Sequence, residues 1–193
     1  MKHLKILGLL GVVVSAFAFA PGASATTITD GNTQVYTGDI TATSESAITL
    51  HGVADLTCAH AHFTAKVESH GSGVTAKGPM ALALFNCDQH PFIIKAGTFE
   101  IHWTNGSNGT LTWSGGQITV EFTTIFGNVH CVFGTNNTHF GTITAPSNHS
   151  SHATLDLDSA PIPIESGSFL CGSSAEATGR FTITKPIGLT VDQ

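Results

Sequence analysis

Histidine is the residue type best supplied for chemistry in this chain: eleven occur in 193 residues, ten of them after residue 25. His60 and His62 stand two apart, a spacing that puts both rings on one face of a strand, where they could reach one ion. His149 and His152 form a second pair, with His51, His70 and His90 elsewhere in the chain. Imidazole is the commonest nitrogen donor to zinc, but a zinc site closes with three or four ligands. Neither an H-E-x-x-H helix nor cysteines at finger spacing supply the rest. His60 and His62 are therefore the metal candidates, weighed against the plainer reading of polar residues on a wet strand face. Asp156 and Asp158 also share a face, but calcium needs six or more oxygens, and the acidic loop that gathers them is missing. The reading requires no cofactor, zinc and calcium being the ions these side chains would suit.

Other chemistries have less behind them. No G-x-S-x-G elbow occurs, and Glu68-Ser69-His70 are adjacent in sequence, whereas a triad assembles in space. The thirteen acids could supply a glycosidase pair that sequence does not display. Thr-x-Thr recurs at Thr27/Thr29, Thr41/Thr43, Thr110/Thr112, Thr142/Thr144 and Thr182/Thr184. Such pairs can match a sugar surface or ordered water, as in some ice-binding proteins, although here the spacing is irregular and Thr is a common outward strand residue. Trp103, Trp113, Phe122 and Phe126 could stack on a carbohydrate, but alternation with Phe99, Ile101 and Leu111 favours the core.

The elements that must position these groups are strands. Phe99/Ile101/Trp103, Ile118/Val120/Phe122, Leu155/Leu157 and Phe181/Ile183 alternate with polar residues, giving each strand one wet and one buried face. Met80 to Phe85 is continuously apolar and reads as a strand covered on both sides, and residues 99–126 read as a meander. Apolar character moves from even to odd positions at Cys58–Ala59, which a bulge or bend there would accommodate, keeping Cys58 and Phe63 inward. Many short strands between Gly- and Asn-rich turns suggest a single antiparallel β-sandwich, with a barrel as the alternative.

Lys2 and Lys5, an apolar run from Ile6 to Ala20, and Ala23-Ser24-Ala25 have the layout of an export signal, cleaved after residue 25. The run is shorter than the ~20 residues that span a bilayer. Residues 26–193 then form one secreted domain, extracellular or in the cell envelope, with no transmembrane segment. Of seven Lys and Arg two leave with the signal, so five face thirteen acids, a net charge of −8. That balance, with the five scattered along the chain, argues against nucleic acid. Cys58, Cys87, Cys131 and Cys171 form no C-x-x-C, and four cysteines in an exported chain read as two disulfides with three connectivities open. Sequence-local pairing would add ~3–4 kcal/mol per bridge.

Cys131-Val132-Phe133-Gly134-Thr135, the strand at Ala153-Thr154-Leu155, Phe169-Leu170-Cys171-Gly172 and the closing Phe181-Thr182-Ile183-Thr184-Lys185-Pro186 resemble a group of uncharacterised secreted four-cysteine bacterial proteins of actinobacterial type. The likeness spans residues 50–191 and rests on short motifs. It implies an exported all-β domain with Cys58–Cys87 and Cys131–Cys171 bridges, and carries over no activity and no active-site residue. The expected function is a non-enzymatic binding or structural domain with a cell-surface or carbohydrate partner. An extracellular carrier of a small apolar ligand or metal, and a secreted hydrolase, are the alternatives.

Overall fold

The computed structural model describes residues 26–52, 55–68, 75–88 and 92–193. The export signal expected over residues 1–25, and with it Ser69, His70 and His90, lies outside the described residues. The strands are β1 (Thr27–Thr29), β2 (Asp39–Ser44), β3 (Ile48–His51), β4 (Leu56–Lys66), β5 (Ala76–Cys87), β6 (Phe92–Lys95), β7 (Gly97–Trp103), β8 (Gly109–Ser114), β9 (Gln117–Thr124), β10 (Gly127–Gly134), β11 (Thr138–Thr144), β12 (Thr154–Gly167), β13 (Ser174–Lys185) and β14 (Thr190–Asp192). Among the described residues a single 3-10 turn, Phe169–Cys171, interrupts them. Among the described residues no helix is long and apolar enough to cross a membrane.

Period-two patterning does in three dimensions what it does in sequence. In β4, Ala61, Phe63 and Ala65 are buried while His62, Thr64 and Lys66 are exposed. β2 and β3 lie end to end, and each pairs with β4 on one side and β13 on the other. They therefore act as one interrupted strand. From β4 the ladder runs through β5, β7, β8, β11, β12 and β13 and returns to β2, so the hydrogen-bonded ring closes as an eight-position antiparallel barrel. Barrels of this size are just wide enough for side chains to fill. Phe63, Met80, Phe99, Leu111, Trp113, Phe140, Leu155 and Phe181 do so, Trp113 meeting Phe140 edge to face at 5.1 Å. Each large apolar side chain fully buried contributes roughly 1.5–3 kcal/mol.

The fold is all-β, antiparallel and twice bridged. Between the two architectures entertained, ring closure is the feature of a barrel, and a side sheet supplies a facing layer as in a sandwich. β12 outruns the ring and pairs with β10, which pairs with β9 and then β6. Val120 and Phe133 of this sheet face Leu50 of β3 and Ala175 of β13 across a gap of only about 10 Å³. At the opposite end, β1 and β14 pair with each other and bring buried Ile28, Leu189 and Val191 against the β7–β8 turn, where Val191 N–H donates to the Ser107 carbonyl.

Cys58 bridges Cys87, its direct partner in the β4–β5 ladder, and Cys131 of β10 bridges Cys171 of the 3-10 turn. This is the pairing the resemblance implies. The bend expected beside Cys58 is present: Cys58 and Ala61 are buried and the two residues between them exposed. The β2–β3 side carries three residues opposite those two, and Ala61 N–H donates to the Ser44 hydroxyl instead of a ladder carbonyl. Ala59, although apolar, is therefore outward. Two other expectations are corrected. Met80 to Phe85 is not covered on both sides: Met80 and Leu82 are buried but Ala81, Ala83 and Phe85 are exposed. The meander breaks after β8, which pairs with β11 while β9 joins the side sheet.

Candidate functional site

The filled barrel directs attention to its outer wall. The cavity lined by Leu50, Leu82, Ile118, Phe140 and Leu157 holds about 20 Å³, the space of a single water. Outside, β2, β4 and β5 form a shallow groove of about 360 Å³, lined by Asp39, Thr41, Thr64, Lys66, Pro79, Ala81 and Ala96. Beyond Pro79 it continues into a second depression of about 430 Å³ bordered by Glu68, Lys77, Gly78, Thr98 and Glu100.

The groove follows from how β5 changes neighbours. Its first part, Ala76 to Met80, pairs with β7, whereas from Ala81 onward it pairs with β4 alone, because β6 leaves to join β9. A recess opens there in the wall, and Ala81 and Ala96 fill it only with methyl groups. Gly78 lets the chains close up at its margin: a Cβ at that position would stand 1.8 Å from the Lys66 carbonyl oxygen. Pro79 and the alanines make an apolar floor. Hydroxyl, carboxylate and ammonium groups of Thr41, Thr64, Asp39 and Lys66 form the rim. Below the rim Tyr36 donates its hydroxyl to the Asp39 carbonyl at 2.7 Å. Burial, then the charges of Asp39 and Asp30, push the Tyr36 phenol above its ordinary pKa.

The wall beside the groove is rich in threonine. Thr144, Thr154, Thr182, Thr43 and His62 are successive cross-strand partners over five neighbouring strands, β11 to β4. Thr41 pairs with Thr64, and its hydroxyl lies 3.0 Å from that of Thr184. The Thr-x-Thr pairs at 41/43 and 182/184, unrelated in sequence, thus become one hydroxyl-bearing surface. It curves with the barrel.

The histidine candidates are brought together in part. His60 and His62 both face outward on β4, and His62 packs edge-on against Phe85, ring centroids 5.4 Å apart. Among the described residues no three His, Cys, Asp or Glu side chains are grouped to share an ion. His152 is taken up by the Ile183 carbonyl, 2.9 Å from its Nδ1, and Asp156 is paired with Arg180. Of the aromatic group, Trp113 is core, whereas Phe126 is exposed at the β9–β10 hairpin. Sequence reasoning passed over Asp39, Thr64, Lys66 and Pro79 as site residues, because nothing local shows that β2, β4 and β5 place them around one recess. Compared with protein-family models, curated proteins and solved structures, the chain matches none.

Proposed function

We propose that the protein is an exported, non-enzymatic binding domain that holds a carbohydrate of the cell surface against the outer wall of its barrel, in the groove around Pro79. The carrying observation is the groove itself, an apolar floor rimmed by Thr41, Thr64, Asp39 and Lys66 and continuous with a hydroxyl-bearing wall. Sugars present apolar C–H patches ringed by hydroxyls, and a site of that complement orients them with few precise polar groups. Two disulfides suit an oxidising compartment outside the cytoplasm. A carrier of an apolar molecule would need a chamber, and the core gaps of about 10 and 20 Å³ offer none.

The test is retention of the folded protein on purified cell-wall polysaccharide. Ala81→Trp fills the recess from an exposed position without touching the core. The unaltered protein should be retained and Ala81→Trp should elute with the void. Equal retention of both, or of neither, overturns the reading.

A further inference from the structure

The β9–β10 hairpin breaks the pattern that governs the rest of the fold. Its two-residue turn is Ile125-Phe126, between Thr124 and Gly127 of the last ladder pair. Turns ordinarily carry Gly, Asn, Asp or Ser. Ile125 is 94% exposed and Phe126 84%, so neither side chain contributes to the core. Phe169, 92% exposed, belongs to the same end of the side sheet. β12 runs antiparallel to β10, Gly167 stands opposite Cys131, and the 3-10 turn beyond Gly167 is tied back to β10 by the Cys131–Cys171 bridge. The other exposed large apolar residues among those described, Val35, Phe85 and Ile187, are only about half-exposed.

Two further properties mark this end. In a chain with five cations against thirteen acids after residue 25, neither residues 122–129 nor residues 166–175 include a Lys, Arg, Asp or Glu. The nearest carboxylate along the hairpin, Glu121, is hydrogen-bonded to His130 at 2.8 Å. The tip also satisfies polar groups of its own. Phe126 N–H donates to the Thr124 hydroxyl at 3.1 Å, that hydroxyl donates to the Gly127 carbonyl at 3.0 Å, and the Thr123 hydroxyl donates to the Asn128 side-chain oxygen at 2.9 Å. Likewise Leu170 N–H donates to the Ser168 hydroxyl and Cys171 N–H to the Ser168 carbonyl. Those groups do not need water, which is what an apolar solvent demands of a backbone.

We propose that the hairpin tip, with Phe169, docks on the surface of a lipid bilayer, Ile125 and Phe126 entering the boundary between headgroups and acyl chains. A protein partner, including a second copy, fits less well. An aromatic side chain offers roughly 150–250 Å², so the three together stay below the roughly 800 Å² that each partner of a stable protein complex buries. A fluid bilayer needs no such area and no pocket shaped to a protruding tip. The site is separate from the groove around Pro79 and does not depend on what binds there.

The experiment adds phosphatidylcholine vesicles to the whole folded protein and measures the bound fraction by co-sedimentation, at low salt and at about 0.5 M salt. It compares Ile125→Ser, Phe126→Ser, the double variant and Phe169→Ser with a control, Ile187→Ser, in the loop that meets Gly31 just beyond β1. Binding should persist in salt, because the contact is apolar. Ile125→Ser and Phe126→Ser should each lower the partition coefficient about tenfold, and the double variant should stay in solution. Phe169→Ser should lose severalfold, with Ile187→Ser binding as before and every melting temperature unchanged. Phe126→Trp should bind and show a blue-shifted emission, quenched by brominated lipid, that the unaltered protein lacks. The proposal is overturned if the unaltered protein does not bind, if salt abolishes binding, or if the double variant binds as well. A dimer in light scattering that the double variant loses would assign the tip to a second copy and overturn the lipid surface as its occupant.

Discussion

At Gly78, beside the groove, there is room for a hydrogen atom only, because any side chain there would run into the Lys66 carbonyl. Gly78→Ala should therefore destabilise the protein by about 1–3 kcal/mol, read as a lower urea midpoint, and should also weaken ligand retention because the margin of the recess must shift. Trp113 poses the reverse problem: its ring is fully buried, yet its indole N–H has no hydrogen-bond partner among the described residues. Trp113→Ala should cost about 3–5 kcal/mol, while Trp113→Phe should cost much less, since it removes the orphan donor along with some volume. Equal losses in the two variants would contradict that account. Tyr36 carries a pH signature. Its folded phenol holds its proton more tightly than the unfolded one, so its contribution is complete below the ordinary tyrosine pKa and is lost as pH rises through the folded value. Tyr36→Phe should remove that segment of the alkaline stability profile, measured by thermal melts from pH 8 to 12. Little of this was readable beforehand. Apolar type alone made Ala81 and Ala83 look buried, because alanine is at home on both sides of a wall.

At the scale of strands, the two disulfides do different work although their loops are similar, 29 and 40 residues. Cys58–Cys87 staples strands already joined by a long ladder, whereas Cys131–Cys171 ties the 3-10 turn to the side sheet, where hydrogen bonding is sparser. Chain entropy assigns each ~3–4 kcal/mol. Replacing either cysteine pair with alanine should lower stability by that order. The Cys131→Ala/Cys171→Ala variant should in addition lose hydrogen-exchange protection locally around residues 167–173, which the other pair should retain. Strand identity was legible where alternation is clear, as over Phe99–Trp103, Ile118–Phe122, Leu155–Leu157 and Phe181–Ile183, because period two is a local property. Partner choice was not: β8 takes β11 and β9 takes β10 and β6, pairings decided by which distant strand covers which face. The bend beside Cys58 was legible because it leaves a register change in the sequence itself.

For the whole molecule, closure of the ring depends on β2 and β3 sharing one position between β4 and β13, a junction of residues near 40 with residues near 180. Folding must therefore close long loops before the barrel is complete, and refolding on a millisecond-to-second scale is expected in stopped-flow fluorescence of its tryptophans. The groove inherits this remoteness. Its rim joins Asp39 and Thr41 of β2 to Thr64 and Lys66 of β4, which become neighbours only once those strands have paired.

The cap at the barrel mouth has a mechanical consequence. Thr27 pairs with Asp192 and Thr29 with Thr190, antiparallel, so the outermost pair of the cap is also the one nearest both ends of the described chain. Tension applied through those ends would act across the strands, along the β1–β14 hydrogen bonds, and part them one pair at a time, as a zip opens, instead of shearing them together. A molecule held at both ends would thus yield first at a three-pair fuse. Ile28 and Val191 would come into water while the ring behind them stayed whole.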